Sequence, residues 1–220
     1  MIAVSTDYLS IIEALPPDAM TIFRNIAWDE YKSIVKALGT APRFRMAYSN
    51  GALQIMTTSP KHERIKMLLG WLVLELAKAS QQPFDSVGSA TLMNDEVRKG
   101  TEPDDCYYLQ NASQVIGKDI DLNVHPAPDL AIEVDLSSPS LKKFPIYAAL
   151  GVTELWRYKR GRVKFYQLNV DDYEEISRSI SFPFLSPDVI TDHVRIGLDQ
   201  GPMIMLRSFE SWIKTNQPTA

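Results

Sequence analysis

Cysteine is almost absent. Cys106 stands alone among 220 residues, which excludes an intramolecular disulfide and a multi-cysteine zinc site and makes a reducing cytoplasm the default compartment. Histidine is nearly as scarce: His62, His125 and His193 lie far apart with no zinc-ligand spacing, so each is expected at the surface or at a cap. Long hydrophobic runs are missing too. The longest, Met67 to Leu74, is broken by Gly70 and closed by Glu75, so no membrane span is expected. No basic residue precedes an apolar run in the first ten residues, which argues against a signal peptide. Positive charge is in deficit, 23 Lys and Arg against 27 Asp and Glu for a net charge of −4, so a polyanion must be met by a local patch. There is no phosphate loop, no dinucleotide glycine fingerprint and no G-x-S-x-G elbow. Nor is there an internal repeat or a low-complexity segment.

What is present is an ordinary globular composition, 45% hydrophobic and 23% charged, in a chain long enough for one large domain. Residues 1–20, broken by Pro16-Pro17, read as an arm or loop, and 21–216 as a single domain. Trp28, Tyr31, Ile34, Val35 and Leu38 have helical spacing, closed by Gly39. Phe44, Met46 and Tyr48, then Asn50-Gly51, then Leu53 and Ile55 spell a β-hairpin, because Asn-Gly accepts the positive φ angles of a type I′ turn. Ser59-Pro60 caps a helix with Ile65, Leu68, Leu69, Leu72 and Leu76 on its buried stripe. Strands are expected at Val87–Leu92, Asp104–Leu109 and Leu130–Leu136. A loop then leads to a helix ending at Gly151, followed by a hairpin around Arg160-Gly161 and helices near Asp188–Ile196 and Met203–Lys214. This order points to an α/β or α+β domain.

Carboxylates carry the chemical interest. On the strand after Pro128, Leu130, Ile132 and Val134 face one way, while Asp129, Ala131, Glu133 and Asp135 face the other. Three acids on one face repel each other unless a proton or a hard cation such as Mg²⁺ relieves them. Alternatively, that face is half exposed and meets solvent or arginines. Glu102-Pro103-Asp104-Asp105 reads on its own as a surface turn, and Glu63 as a complement to a helix dipole.

Taken in order, the motifs His62-Glu63-Arg64-Ile65 with Leu68-Leu69, Glu102-Pro103-Asp104, Pro128-Asp129-Leu130-Ala131-Ile132-Glu133-Val134, Ser137-Ser138, Lys143 through Val152, and Glu154-Leu155-Trp156 resemble a known set. They are those of the large bacterial family of restriction-endonuclease-like proteins long classed as a domain of unknown function, within the PD-(D/E)XK nuclease superfamily. The resemblance implies a central mixed β-sheet flanked by helices, with an acidic metal site at one edge and the hairpin at the N-terminal side. It implies Asp104 and Glu133 as the two acids, holding Mg²⁺ or Mn²⁺, with Asp129 or Asp135 as further ligands and Glu63 completing the shell through water. The superfamily places lysine two residues after the second acid. Asp135 stands there instead, and the matching lysine is Lys143 in the following helix, with Lys142 as its competitor about 100° around that helix.

The function so implied is Mg²⁺-dependent endonuclease cleavage of DNA by a homodimer, with Met67, Trp71 and Val73, off the predicted buried stripe, available to an interface. Arg157, Lys159, Arg160, Arg162 and Lys164 supply a candidate phosphate-contact patch, or else a solvated turn. Two other functions fit the same residues: a degraded nuclease fold that binds nucleic acid or protein, and a metal-independent carboxylate hydrolase using an acid pair.

Overall fold

The computed structural model describes residues 6–39, 43–136 and 142–217. Along the chain lie α1 (Thr6–Glu13), β1 (Met20–Phe23), α2 (Trp28–Leu38), β2 (Phe44–Ser49), β3 (Ala52–Thr57), α3 (Pro60–Ser80), β4 (Asp85–Ser86), β5 (Leu92–Asn94), β6 (Lys99–Thr101), β7 (Asp105–Tyr108), α4 (Ala112–Val115) and β8 (Leu130–Asp135). They are followed by α5 (Phe144–Leu150), β9 (Glu154–Lys159), β10 (Arg162–Asn169), β11 (Asp172–Ile176), α6 (Pro187–Gln200) and α7 (Pro202–Asn216). Two sheets form: a five-stranded one in the order β1-β3-β2-β6-β5 and a six-stranded one in the order β11-β10-β9-β8-β7-β4. The second sheet is mixed. β8 and β9 run parallel, which requires a crossover, and α5 supplies it, whereas β8 pairs antiparallel with β7.

The alternation along β8 fixes the layers. Leu130, Ile132 and Val134 enter a core with the α3 stripe, Trp156, Phe165, Val194 and Phe209, while Ala131 enters another with Ile146, Tyr147 and Leu150 of α5. A strand covered on both faces keeps Asp129 and Glu133 out of water, while Asp135 at its end is part-exposed and meets an arginine, as the alternative reading expects. A third cluster packs Tyr31 and Ile34 of α2 on Tyr48, Leu53 and Ile55 of the first hairpin.

Local chemistry accounts for the joints. Asn50 and Gly51 take φ of 50° and 75° between β2 and β3, and Arg160 and Gly161 take 52° and 80° between β9 and β10. The Ser59 hydroxyl accepts from the His62 N–H at 3.3 Å, with Pro60 opening α3.

Three expectations need correction. Residues 6–13 form α1 instead of a loop, and Ile12 is buried in the third cluster. Val87–Leu92 is not a strand: Gly88 turns at φ 60° between β4 and β5. β5 and β6 are joined by a turn in which the Asn94 side chain accepts from the N–H groups of Glu96 and Val97, and they widen the hairpin into a sheet. Val73 is 0% exposed, because 69, 72, 73 and 76 fall on one helical face, so it is part of the core and unavailable to a partner. Ser137 and Ser138 lie outside the described residues. No helix among the described residues is long and apolar enough to cross a membrane.

The two faces of α3 give a test. Leu72→Ala should lower the unfolding free energy by about 2–5 kcal/mol. Met67→Ala, at a side chain 48% exposed, should change it by no more than about 0.5 kcal/mol. Urea titrations followed by circular dichroism measure both, and equal losses would contradict this packing.

Candidate active site

Antiparallel pairing of β7 with β8 sets Asp105 opposite Ile132, so Asp104, just before β7, lies beside Glu133. The Asp104 N–H donates to the Ile132 carbonyl at 3.1 Å, and the Val134 N–H donates to Asp104 Oδ2 at 2.7 Å. Asp104 is 0% exposed and Glu133 4%. From the N-cap of α5, Lys143 Nζ donates to both Glu133 oxygens at 3.0 and 2.8 Å. Tyr147, one helical turn further on the same face, donates its hydroxyl to Glu133 Oε1. Lys142 is exposed.

The third wall comes from β2 and the first turn of α3. His62 Nε2 lies 3.1 Å from Asp104 Oδ2, and Arg45 Nε lies 3.6 Å from Asp104 Oδ1. Glu63 Oε1 is 3.6 Å from Arg45 Nη2 and 3.4 Å from His62 Nδ1, and Glu63 Oε2 pairs with Lys66 at 2.9 Å. His62 is therefore a buried partner of Asp104, not the surface or capping residue expected. Its spacing with Ile65, Leu69 and Leu72 was the available signal. Arg45 and Tyr147 were not anticipated either. Arg45 occupies the polar phase of a strand whose two faces are both covered, and Tyr147 follows Lys143 by four.

Burial and charge set the protonation. Burial disfavours the Glu133 carboxylate, with repulsion from Asp104 and Asp135 opposed by Lys143, and its pKa is raised to about 7. For Asp104 burial acts the same way but is outweighed by the His62 hydrogen bond and charge, Lys143 and the Val134 N–H, which hold the carboxyl below its ordinary value. Burial would lower His62, yet Asp104 and the Glu63 charge raise it against Arg45. Lys143 is likewise raised: burial lowers it, and the Glu133 and Asp104 charges prevail.

The remaining candidate acids go to other partners. Asp129, about 13 Å from Glu133 at 3.3 Å per strand residue, accepts from the Leu109 N–H, the Asn111 N–H and the Asn111 side chain. Asp135 pairs with Arg157 at 2.5 Å. Glu102 accepts from the Met46 N–H and the Thr91 hydroxyl, each at 2.9 Å, and so ties β2 to the loop before β5.

The cationic hairpin lies on the face that carries Glu133. Cross-strand pairing puts Lys159 opposite Arg162 and Arg157 opposite Lys164, and parallel pairing puts Glu133 beside Arg157 and Asp135 beside Lys159. Trp156, Tyr158, Val163 and Phe165 turn to the opposite side, into the core. Arg157, Lys159, Arg160, Arg162 and Lys164 line a cleft with Tyr166. Lys164 also pairs with Glu175 at 2.8 Å, and the Arg157 guanidinium sits 5.4 Å from the Phe144 ring centroid.

Among the described residues no three of His, Cys, Asp or Glu are grouped to hold a metal ion. Asp104 and Glu133 are nevertheless the donor set a hard cation takes when water and a substrate phosphate fill its other positions. Asp104 Oδ1 is buried and accepts no hydrogen bond, which leaves its lone pairs open to a ligand. A divalent ion fits these residues.

The family model described as "Uma2: Putative restriction endonuclease" matches residues 28–193. No curated protein matches the chain. Among solved structures, one described as a putative nuclease belonging to DUF820, from Anabaena variabilis, is 16% identical, with 82% of this chain and 99% of that chain covered at a TM-score of 0.51. At that identity the likeness speaks for the fold.

The Glu133 shift has a defined sign in stability. Raised from 4.5 to about 7, the carboxyl binds its proton more tightly folded than unfolded. Its contribution is fully present below the unfolded value and is lost as pH rises through about 7. Between pH 5 and 8 the melting temperature should therefore fall more steeply in the wild type than in Glu133→Gln. Parallel pH profiles in scanning calorimetry would contradict the assignment.

Proposed function

The chain belongs to the Uma2 family, and we propose on that premise that it is a metal-dependent nuclease hydrolysing phosphodiester bonds in DNA through Asp104, Glu133 and Lys143. The observation that supports this reading best is the return of Lys143, ten residues beyond Glu133 and on another element, to hydrogen-bond both Glu133 oxygens beside Asp104. Asp104 and Glu133 would hold Mg²⁺ or Mn²⁺, an ion that when bound polarises the scissile phosphate and lowers the pKa of a bound water.

The protein's own groups do the rest. Tyr147 and the Val134 N–H fix the two carboxylates in place. Lys143 supplies positive charge where negative charge develops on the phosphate oxygens, and it does so in a dry site where such charge is most effective. Arg157, Lys159, Arg162 and Lys164, on the same sheet face as Glu133, and Arg160 in the turn between them serve as backbone contacts for the substrate strand and offset the acidity of the whole chain. Glu63, bound to Lys66 and facing Arg45 and His62, supports the acidic wall from the helix side. Assembly as a two-fold homodimer goes with this reading. Met67 and the half-buried Trp71 on the outer face of α3 are the residues for it, and light scattering at micromolar concentration tests it.

A second reading, a nucleic-acid-binding module without turnover, draws on one feature: Asp135 stands two residues after Glu133, where the superfamily has lysine, and it pairs with Arg157. Cleavage separates the two. With Mg²⁺ or Mn²⁺ on plasmid and single-stranded DNA, Glu133→Gln and Lys143→Met should each lower the rate by about 10²–10³ while DNA binding persists, and Lys142→Met should leave it unchanged. A wild type that cuts no substrate, with variants binding DNA equally well, would leave the binding module in its place.

A further inference from the structure

Asp104 divides its two oxygens unequally. Oδ2 is committed to the Val134 N–H at 2.7 Å and faces His62 Nε2 at 3.1 Å. Oδ1 accepts no hydrogen bond, is buried, and faces Arg45 Nε at 3.6 Å, beyond hydrogen-bond range. The other arm of the same guanidinium lies 3.6 Å from Glu63 Oε1, and Nη1 donates to the Phe44 carbonyl at 2.8 Å. One buried cation thus spans Asp104 and Glu63, 3% exposed and anchored to its own strand. A guanidinium cannot shed its charge at any ordinary pH.

Resting on the reading of Asp104 and Glu133 as metal ligands, we propose that Arg45 is the built-in counter-ion of the acidic centre, standing where a divalent cation would engage Asp104 Oδ1, and that it sets the metal affinity by having to withdraw. An ion bound to Oδ1 at about 2.0–2.6 Å would meet the guanidinium at close quarters, and two like charges in a water-poor site repel strongly. Of the other internal cations, His62 faces Asp104 Oδ2 at 3.1 Å, away from Oδ1, and Lys143 is held by two hydrogen bonds to Glu133 at 3.0 and 2.8 Å. Arg45 meets Asp104 at 3.6 Å without a hydrogen bond between them, so compared with Lys143 it has the weaker hold on its carboxylate. In the metal-free protein it keeps Asp104 and Glu63 neutralised and the wall closed. The cost is weak metal binding until something draws it away, and the phosphate of an arriving substrate has the charge to do so.

The experiment is isothermal titration of Mg²⁺ and Mn²⁺, without nucleic acid, into the full chain and into Arg45→Gln and Glu133→Gln. Arg45→Gln should bind metal at least ten-fold more tightly than the wild type, and Glu133→Gln more weakly. A folded Arg45→Gln with equal or lower affinity overturns the proposal. If Glu133→Gln has meanwhile lost affinity, the ligand assignment survives that failure. A Glu133→Gln that binds as the wild type does, or no metal binding by the wild type and Arg45→Gln alike, overturns both. Should Arg45→Gln fail to fold, the wild type decides through the Nε–Hε resonance of Arg45 in ¹⁵N-labelled protein. A shift on metal saturation that leaves Arg43 unmoved supports displacement, and an unmoved Arg45 signal overturns it.

Discussion

Two carboxylates held side by side out of water lose their hydration and repel one another, a cost of several kcal/mol per ion that only fixed positive charge and N–H donors can offset. The arrangement around Asp104 and Glu133 is built to that requirement. The Val134 N–H and His62 address one oxygen of Asp104, Arg45 the other, and Lys143 with Tyr147 address Glu133. These groups come from β2, α3, β8 and α5, so both sheets and the crossover helix must be in place before the acids can be buried. The electrostatics of the site and the assembly of the fold are therefore one problem, and loss of one partner leaves a buried charge uncompensated. This also bears on Glu133→Gln: acid–acid repulsion alone would make the change stabilising, but it strands Lys143, whose side chain is 9% exposed.

The six-stranded sheet carries a second division on its α5 face. Toward one end, Ala131 and Leu155 lie under Ile146, Tyr147 and Leu150. Toward the other, beyond the first turn of α5, these strands and β10 present Asp135, Arg157, Lys159, Arg162 and Lys164. The short helix thus marks the border between core and cationic shelf, and Lys143 stands on that border. Tyr166, packed edge-on to Phe144 with ring centroids 4.8 Å apart, shares it. A net-negative chain gains a local cationic surface by placing its positive residues on one face of one hairpin.

Much of this was legible in the residues. Asn50-Gly51 and Arg160-Gly161 mark the hairpins, Ser59-Pro60 the start of α3, Gly39 and Gly151 helix ends, and β8 its alternation, because each is a local preference that the tertiary structure leaves intact. Asp104, Glu133 and Lys143, all named from the sequence, come together through β7–β8 pairing and the fold-back of α5. The misreadings have a common origin. A period-two pattern implies one wet face only if the sheet has one, and β2 and β8 are covered on both, so Arg45 and Glu133 are buried where polar residues suggest water. β5 and β6, at three residues each, are too short to show a period. The acids before and along β8 looked like one cluster, yet Asp129 at the far end serves a turn and Asp135 an arginine, since spacing along a strand says which face an acid takes but not which partner it meets.

The central claim is that Asp104 Oδ1 and Glu133 form one cation site. The most direct measurement is anomalous diffraction from crystals grown with Mn²⁺ and a non-cleavable phosphodiester analogue. The account expects a peak about 2.0–2.6 Å from Asp104 Oδ1 and a Glu133 oxygen, with a substrate phosphate oxygen in the same shell. A peak bound to other residues, or none at saturating Mn²⁺ with the analogue in place, would contradict it.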